Sequence, residues 1–106
     1  MSRTLDLVTA LIARGEVRIS EHGYDELAAD ALSVGEILAG IGGAQLVEDY
    51  PEYAKGPCVL VLQTDRDGAP IHVVWGIPAG RATPAVLVTA YRPDKTKWSG
   101  DFRTRL

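Results

Sequence analysis

The chain has 106 residues, 46% of them hydrophobic and 24% charged, with a net charge of −3. That composition fits one globular domain whose core needs neither disulfides nor a structural metal. The lone Cys58 cannot form an internal disulfide, no Cys/His spacing suggests zinc, and no apolar run approaches a membrane span. The opening residues lack a secretory leader, so a cytoplasmic protein without metal or cofactor is expected.

Leu5, Val8, Leu11 and Ile12 recur at helical spacing, with Ser2 or Thr4 as the cap and Gly15 as the stop. Val17-Arg18-Ile19 reads as a short extended link. Ser20 then caps a second helix running to about Ala31, with Gly23, Tyr24, Leu27, Ala28 and Ala31 on its apolar side. Ser33 and Glu36 fit a capping box for a third short helix, which Gly40, Gly42 and Gly43 stop.

After Gly43 the period changes from helical to extended. Strands are expected at Gln45–Tyr50, Cys58–Thr64, Ile71–Ile77 and Ala85–Tyr91, with Asp65-Arg-Asp-Gly68 as a hairpin turn. The order predicts a single α+β domain over residues 1–106. Helices over about 4–41 pack on one face of a roughly four-stranded antiparallel sheet over about 45–91, and a basic tail follows at 92–106.

Charge is polarised along this order. Residues 20–55 hold eight acids against one base, Lys55, whereas residues 89–106 hold five bases against two acids. A local anionic ligand is therefore compatible with the negative total. Glu48, Asp49 and Glu52 read as solvated acids.

Five residues stand out chemically. His22 opens the second helix on the side away from Leu27 and Ala31, with Glu26 four residues on. A neutral histidine near its working pH is what a general base requires. His72 lies inside Ile71-His-Val-Val-Trp75, where alternation puts it on one sheet face with Val74, opposite Ile71, Val73 and Trp75. A ring in mid-strand needs a hydrogen-bond partner, and Thr89 or Tyr91 of the last strand can supply it if the two strands pair. On that strand Leu87, Thr89 and Tyr91 are expected to share a face. The strand ends in Tyr91-Arg92-Pro93-Asp94, with Trp98 beyond: a hydroxyl, a fixed cation and a stacking surface. Trp98 either stacks on a base or packs under the loop.

Four segments in order resemble the family called domain of unknown function 4258. They are Ile19-Ser-Glu-His22, Glu48-Asp-Tyr-Pro51, Pro70-Ile-His-Val-Val74, and Val88-Thr-Ala-Tyr-Arg-Pro-Asp94 with Trp98. That family is similar to RelE-like and ParE-like bacterial toxins, often encoded beside a small zinc-finger antitoxin. The resemblance implies a RelE-like fold and, as functional residues, His22, His72, Tyr91, Arg92 and Trp98. Lys95 stands where a proline is expected, and the acidic balance departs from strongly basic ribosome-dependent toxins.

Together these readings predict a toxin-like, metal-independent endoribonuclease of a toxin–antitoxin pair. His22 would be the general base, His72 the acid or orienting group, Arg92 the phosphate clamp and Tyr91 a helper. Lys97 and Trp98 would add substrate contacts. The partners would be a small antitoxin and RNA. The alternatives are a catalytically degenerate toxin-fold protein, or a non-enzymatic module that holds a basic partner with its acidic second helix and the Asp49–Pro51 edge.

Overall fold

The computed structural model describes residues 2–106. Helix α1 spans Arg3–Ala13 and is capped by Ser2, whose Oγ accepts from the Leu5 N–H at 3.1 Å. Strand β1 is Val17–Ile19, and helix α2 spans Glu21–Ala29. Helix α3, Val34–Ala39, starts where Ser33 Oγ accepts from the Glu36 N–H at 3.4 Å, and a single 3₁₀ turn follows over Ile41–Gly43. Strands β2 (Gln45–Tyr50), β3 (Cys58–Thr64), β4 (Pro70–Gly76) and β5 (Ala85–Tyr91) complete the chain's regular structure.

The sheet order is β1-β5-β4-β3-β2. Strands β2 to β5 form the expected antiparallel meander. The expectation of four strands, all antiparallel, is corrected by β1, which adds a fifth strand parallel to β5 with Val17 opposite Ala85 and Ile19 opposite Leu87. Three residues are too few to carry an alternation signal, and their partner lies far along the chain. Parallel pairing of this kind requires a long crossover, here everything from α2 to β4.

One face of the sheet packs against the helices. Val59, Val61, Val73, Trp75 and Leu87 meet Val8, Leu11, Leu27 and Ile37 there, all within 3% of full burial. Inside this core the Trp75 indole N–H donates to Gln63 Oε1 at 3.2 Å, and Gln63 Nε2 donates to the Ile37 carbonyl at 2.8 Å. The pair satisfies every buried polar atom it brings in, which is the condition for burying an amide.

Helix α2 lies along the edge of β5. Ser20 Oγ accepts from the Gly23 N–H and donates to the Val88 carbonyl at 2.8 Å, so one hydroxyl both caps the helix and moors it. Gly23 comes so near that a Cβ there would sit 2.9 Å from the Leu87 carbonyl oxygen. The buried strip of α2 is correspondingly narrow, Gly23 and Leu27. Tyr24, expected on the buried side, is 57% exposed.

A bulge interrupts β4–β5 pairing: Val74 faces Thr89, but Trp75 faces Leu87. The extra residue breaks the expected common face of Leu87, Thr89 and Tyr91. Leu87 joins Trp75 in the core, and Tyr91 lies across from His72 on the opposite face.

Candidate active site

The sheet face away from the helices carries a connected set of polar side chains. Residues paired across strands share a face, so His72 and Tyr91 lie together, and Glu48 and Tyr50 share the face of Leu60 and Cys58. The C-terminal segment, expected as a basic tail, folds over this face as a small hairpin. Trp98 bridges Arg105, the Ser99 N–H donates to the Thr104 carbonyl, and the Leu106 N–H donates to the Lys97 carbonyl.

His72 is fully buried, with both ring nitrogens engaged. Its Nε2 lies 2.8 Å from the Phe102 carbonyl oxygen, and its Nδ1 lies 3.3 Å from the Tyr91 hydroxyl. A carbonyl can only accept, so Nε2 carries the proton, and the Nδ1 lone pair accepts from Tyr91. Phe102 delivers its carbonyl from the left-handed region, at φ 59, a conformation that a bulky side chain adopts only when its surroundings hold it there. Trp98 packs edge-on against the ring at 4.4 Å between centroids, and the Arg105 guanidinium lies 4.7 Å over the Trp98 ring.

From that stacked position Arg105 makes two bonds to Glu48, at 2.7 and 3.0 Å, and the Tyr50 hydroxyl donates to the same carboxylate at 2.8 Å. Arg105 holds the Glu48 carboxyl below its usual range, while the bond to Glu48 pushes the Tyr50 hydroxyl up and keeps it protonated. Burial pushes Tyr91 up in the same way. Burial also lowers the His72 pKa, against the opposing pull of the Phe102 carbonyl, so the ring is neutral at neutral pH.

A pH dependence follows. Because the folded value lies below the ordinary 6.5, the unfolded chain binds the extra proton more readily. Stability is complete above about 6.5 and is lost as pH falls from there through the lower folded value. The carboxylates with shifted values all move downward from 4.5 or 3.8, outside this window. Thermal unfolding midpoints are therefore expected to fall between neutral pH and about pH 5. A flat profile across that window would contradict the placement of His72.

The other sequence-predicted residues lie elsewhere. His22 sits in the first turn of α2, its side chain 66% exposed, with Nε2 3.5 Å from Glu26. Arg92 is at the far end of that helix, where its main-chain N–H donates to Asp30 at 2.8 Å. Eight residues separate His22 from Asp30, about 12 Å along the helix axis. The Arg92 guanidinium turns to Asp65 at 2.7 Å and to the Pro70 carbonyl at 3.2 Å, tying the last strand to the β3–β4 turn. Thus His72, Tyr91 and Trp98 come together, and His22 and Arg92 do not join them. The Lys97 side chain is exposed beside Trp98.

Three members of the cluster were not legible as such. Glu48 reads as a solvated acid, Tyr50 only as the last residue of an expected strand, and Arg105 as one base among several in a tail. The one available signal was the segment Glu48-Asp-Tyr-Pro51, which the resemblance singles out.

A family model described as a domain of unknown function (DUF4258) matches residues 19–92, more than half of the chain. The chain belongs to the DUF4258 family. No curated protein and no solved structure matches it. The DUF4258 match takes in Glu48, Tyr50, His72 and Tyr91 and ends before Trp98, Phe102 and Arg105, which close over them. Among the described residues of this DUF4258 chain, no three His, Cys, Asp or Glu side chains cluster as metal ligands would, and no helix is long and apolar enough to cross a membrane.

Proposed function

We propose that the chain is a toxin-like endoribonuclease that cuts single-stranded RNA without a metal ion, at the face around Tyr91 and Arg105. The observation that carries this reading is the linked set Tyr50–Glu48–Arg105 beside the Tyr91–His72 pair, on the sheet face that no helix covers. Helices on one face of a mostly antiparallel sheet also suit a RelE-like or ParE-like toxin. The net charge of −3 favours free RNA over a ribosome-bound target.

In this reading Tyr91 accepts the 2′-hydroxyl proton as its own proton passes to His72 Nδ1, so the buried histidine acts through the half-exposed tyrosine. The 2′-oxygen bonds to phosphorus, and the bond from phosphorus to the 5′-oxygen breaks. Arg105 offsets the charge that builds on the phosphoryl oxygens, and Tyr50, kept protonated by Glu48, turns its hydroxyl from that carboxylate to give its proton to the departing 5′-oxygen; the proton held by His72 then returns through solvent to the tyrosinate. Glu48 positions both groups. A small antitoxin would silence such a site by covering this face.

The test is incubation of the purified chain with single-stranded RNA in the presence of EDTA. The expected products carry 2′,3′-cyclic phosphate and 5′-hydroxyl ends, and an oligonucleotide lacking 2′-hydroxyls stays intact. A folded preparation, free of antitoxin, that leaves RNA uncut would sink the reading. A second reading, a binding module for a basic partner, draws on Tyr24, 57% exposed among Glu21 and Asp25 on α2. Growth arrest on expression, absent in Arg105→Ala, separates the two.

A further inference from the structure

Next to this cluster, on the same sheet face, lies a groove of about 390 Å³ that the proposed chemistry does not use. Its floor is Val74, Gly76, Val86 and Val88, and its rim carries Tyr53, Lys55 and Arg18. Arg18 reaches this face because β1 pairs it with Val86, which shows what the unforeseen fifth strand contributes. Lys55 enters from the β2–β3 loop. That loop is pinned at Gly56, where φ is +125 and a Cβ would fall 2.0 Å from the Ile77 carbonyl oxygen. The position admits only glycine, which lets the backbone next to Lys55 pass close against Ile77 and Pro78.

Three observations bear on what fits. Arg14, Arg66, Arg92 and Arg105 each pair with a carboxylate; of the seven Lys and Arg side chains that have no acidic partner within 4.0 Å among the described residues, Arg18 and Lys55 are the two that line the groove. The floor between these two cations is apolar and is flanked by an aromatic ring that is 54% exposed. His72 and Val74 are successive same-face residues of β4, about 6.6 Å apart along the strand, so the groove opens directly beside the cluster. A flat apolar body carrying negative charge at both ends matches this arrangement, and a nucleotide unit within a strand is such a body.

We infer that the groove holds the nucleotide next to the one being cut, its base over Val74, Gly76 and Val86 against Tyr53, and its flanking phosphates on Arg18 and Lys55. This rests on the RNA reading above and adds where the substrate lies. Gly76 leaves room for the base: a Cβ there would have only ordinary contacts at 3.4 Å or more, but a larger side chain would project into the space.

The test uses the full chain and a short 2′-O-methyl oligoribonucleotide, which lacks the attacking hydroxyl, with binding read by fluorescence anisotropy across a salt series. The double variant Arg18→Ala/Lys55→Ala should bind roughly tenfold or more weakly, with a salt slope shallower by about 1.4, two phosphate contacts at about 0.7 each. Gly76→Leu should weaken binding with the salt slope kept. Far-UV circular dichroism confirms that each variant is folded. Cys58 lies in the groove and is half-buried, so bound oligonucleotide should also slow its alkylation. If the oligonucleotide binds all variants equally, the groove assignment is overturned and the RNA reading stands. If the unaltered chain binds no oligonucleotide, both are overturned. If a glutamate-rich peptide protects Cys58 and the oligonucleotide does not, the groove is a peptide site and the inference fails.

Discussion

Replacing Arg105 by alanine is expected to lower RNA cleavage by about 100-fold or more, the usual cost of removing a charge-stabilising donor. The chain should stay folded. The Arg105 side chain is 62% exposed, and an ion pair so placed contributes about 1 kcal/mol at most. Arg92→Ala gives the informative contrast. Its guanidinium holds Asp65 and the Pro70 carbonyl, so its loss should lower the thermal midpoint while cleavage, assayed well below that midpoint, changes by less than about tenfold. The reverse pattern, with Arg92 essential and Arg105 dispensable, would return the phosphate clamp to the strand exit. Steady-state cleavage of a fluorogenic RNA, with circular dichroism on each variant, makes the comparison.

Trp75→Ala should be the most damaging single change to the fold. The side chain is fully buried at the centre of the helix-facing sheet surface, and its truncation costs about 3–5 kcal/mol in cavity and lost contacts. The same change strips Gln63 Oε1 of its donor, leaving a buried acceptor unpaired. Against a total stability of about 5–15 kcal/mol, much or all of the margin disappears. Urea unfolding followed by circular dichroism measures it. Trp75→Phe should cost less, because it keeps most of the volume and loses only the indole bond. A loss below about 1 kcal/mol for Trp75→Ala would contradict the packing described.

The meander was legible because its strands are seven residues or so of near-continuous apolar sequence with strong turn signals between them. The helix starts were legible because Ser2, Ser20 and Ser33 do at each cap what their short hydroxyl side chains allow. What escaped has a common cause: each missed feature depends on a partner distant in sequence. β1 is a strand only because β5 lies beside it. The bulge at Val88 follows from how β5 must meet β4, and it reverses which residues of β5 face the core.

The site follows the same logic. Adjacent strands made either Thr89 or Tyr91 readable as a partner of His72, and the register, which sequence does not fix, decides for Tyr91. Arg105 was not readable, because its bond to Glu48 spans 57 residues and depends on the tail folding back across the sheet. Arg92 drew attention as an odd polar exit from an apolar strand, and the structure gives that oddity a structural use: it joins α2, the last strand and the β3–β4 turn. His22 likewise owes its position to Ser20, which fixes the start of α2 against Val88.

The central claim is that substrate engages the face around Tyr91 and Arg105 and not the exposed start of α2. Nuclear magnetic resonance of the labelled full chain, titrated with a short 2′-O-methyl oligoribonucleotide, tests it most directly. The predicted result is progressive shifts at the Trp98 indole N–H, the Arg105 Nε–H and the Tyr91 amide, with the His22 and Glu26 amides unmoved. Shifts confined to His22 and its neighbours on α2, with Trp98 and Arg105 silent, would contradict it.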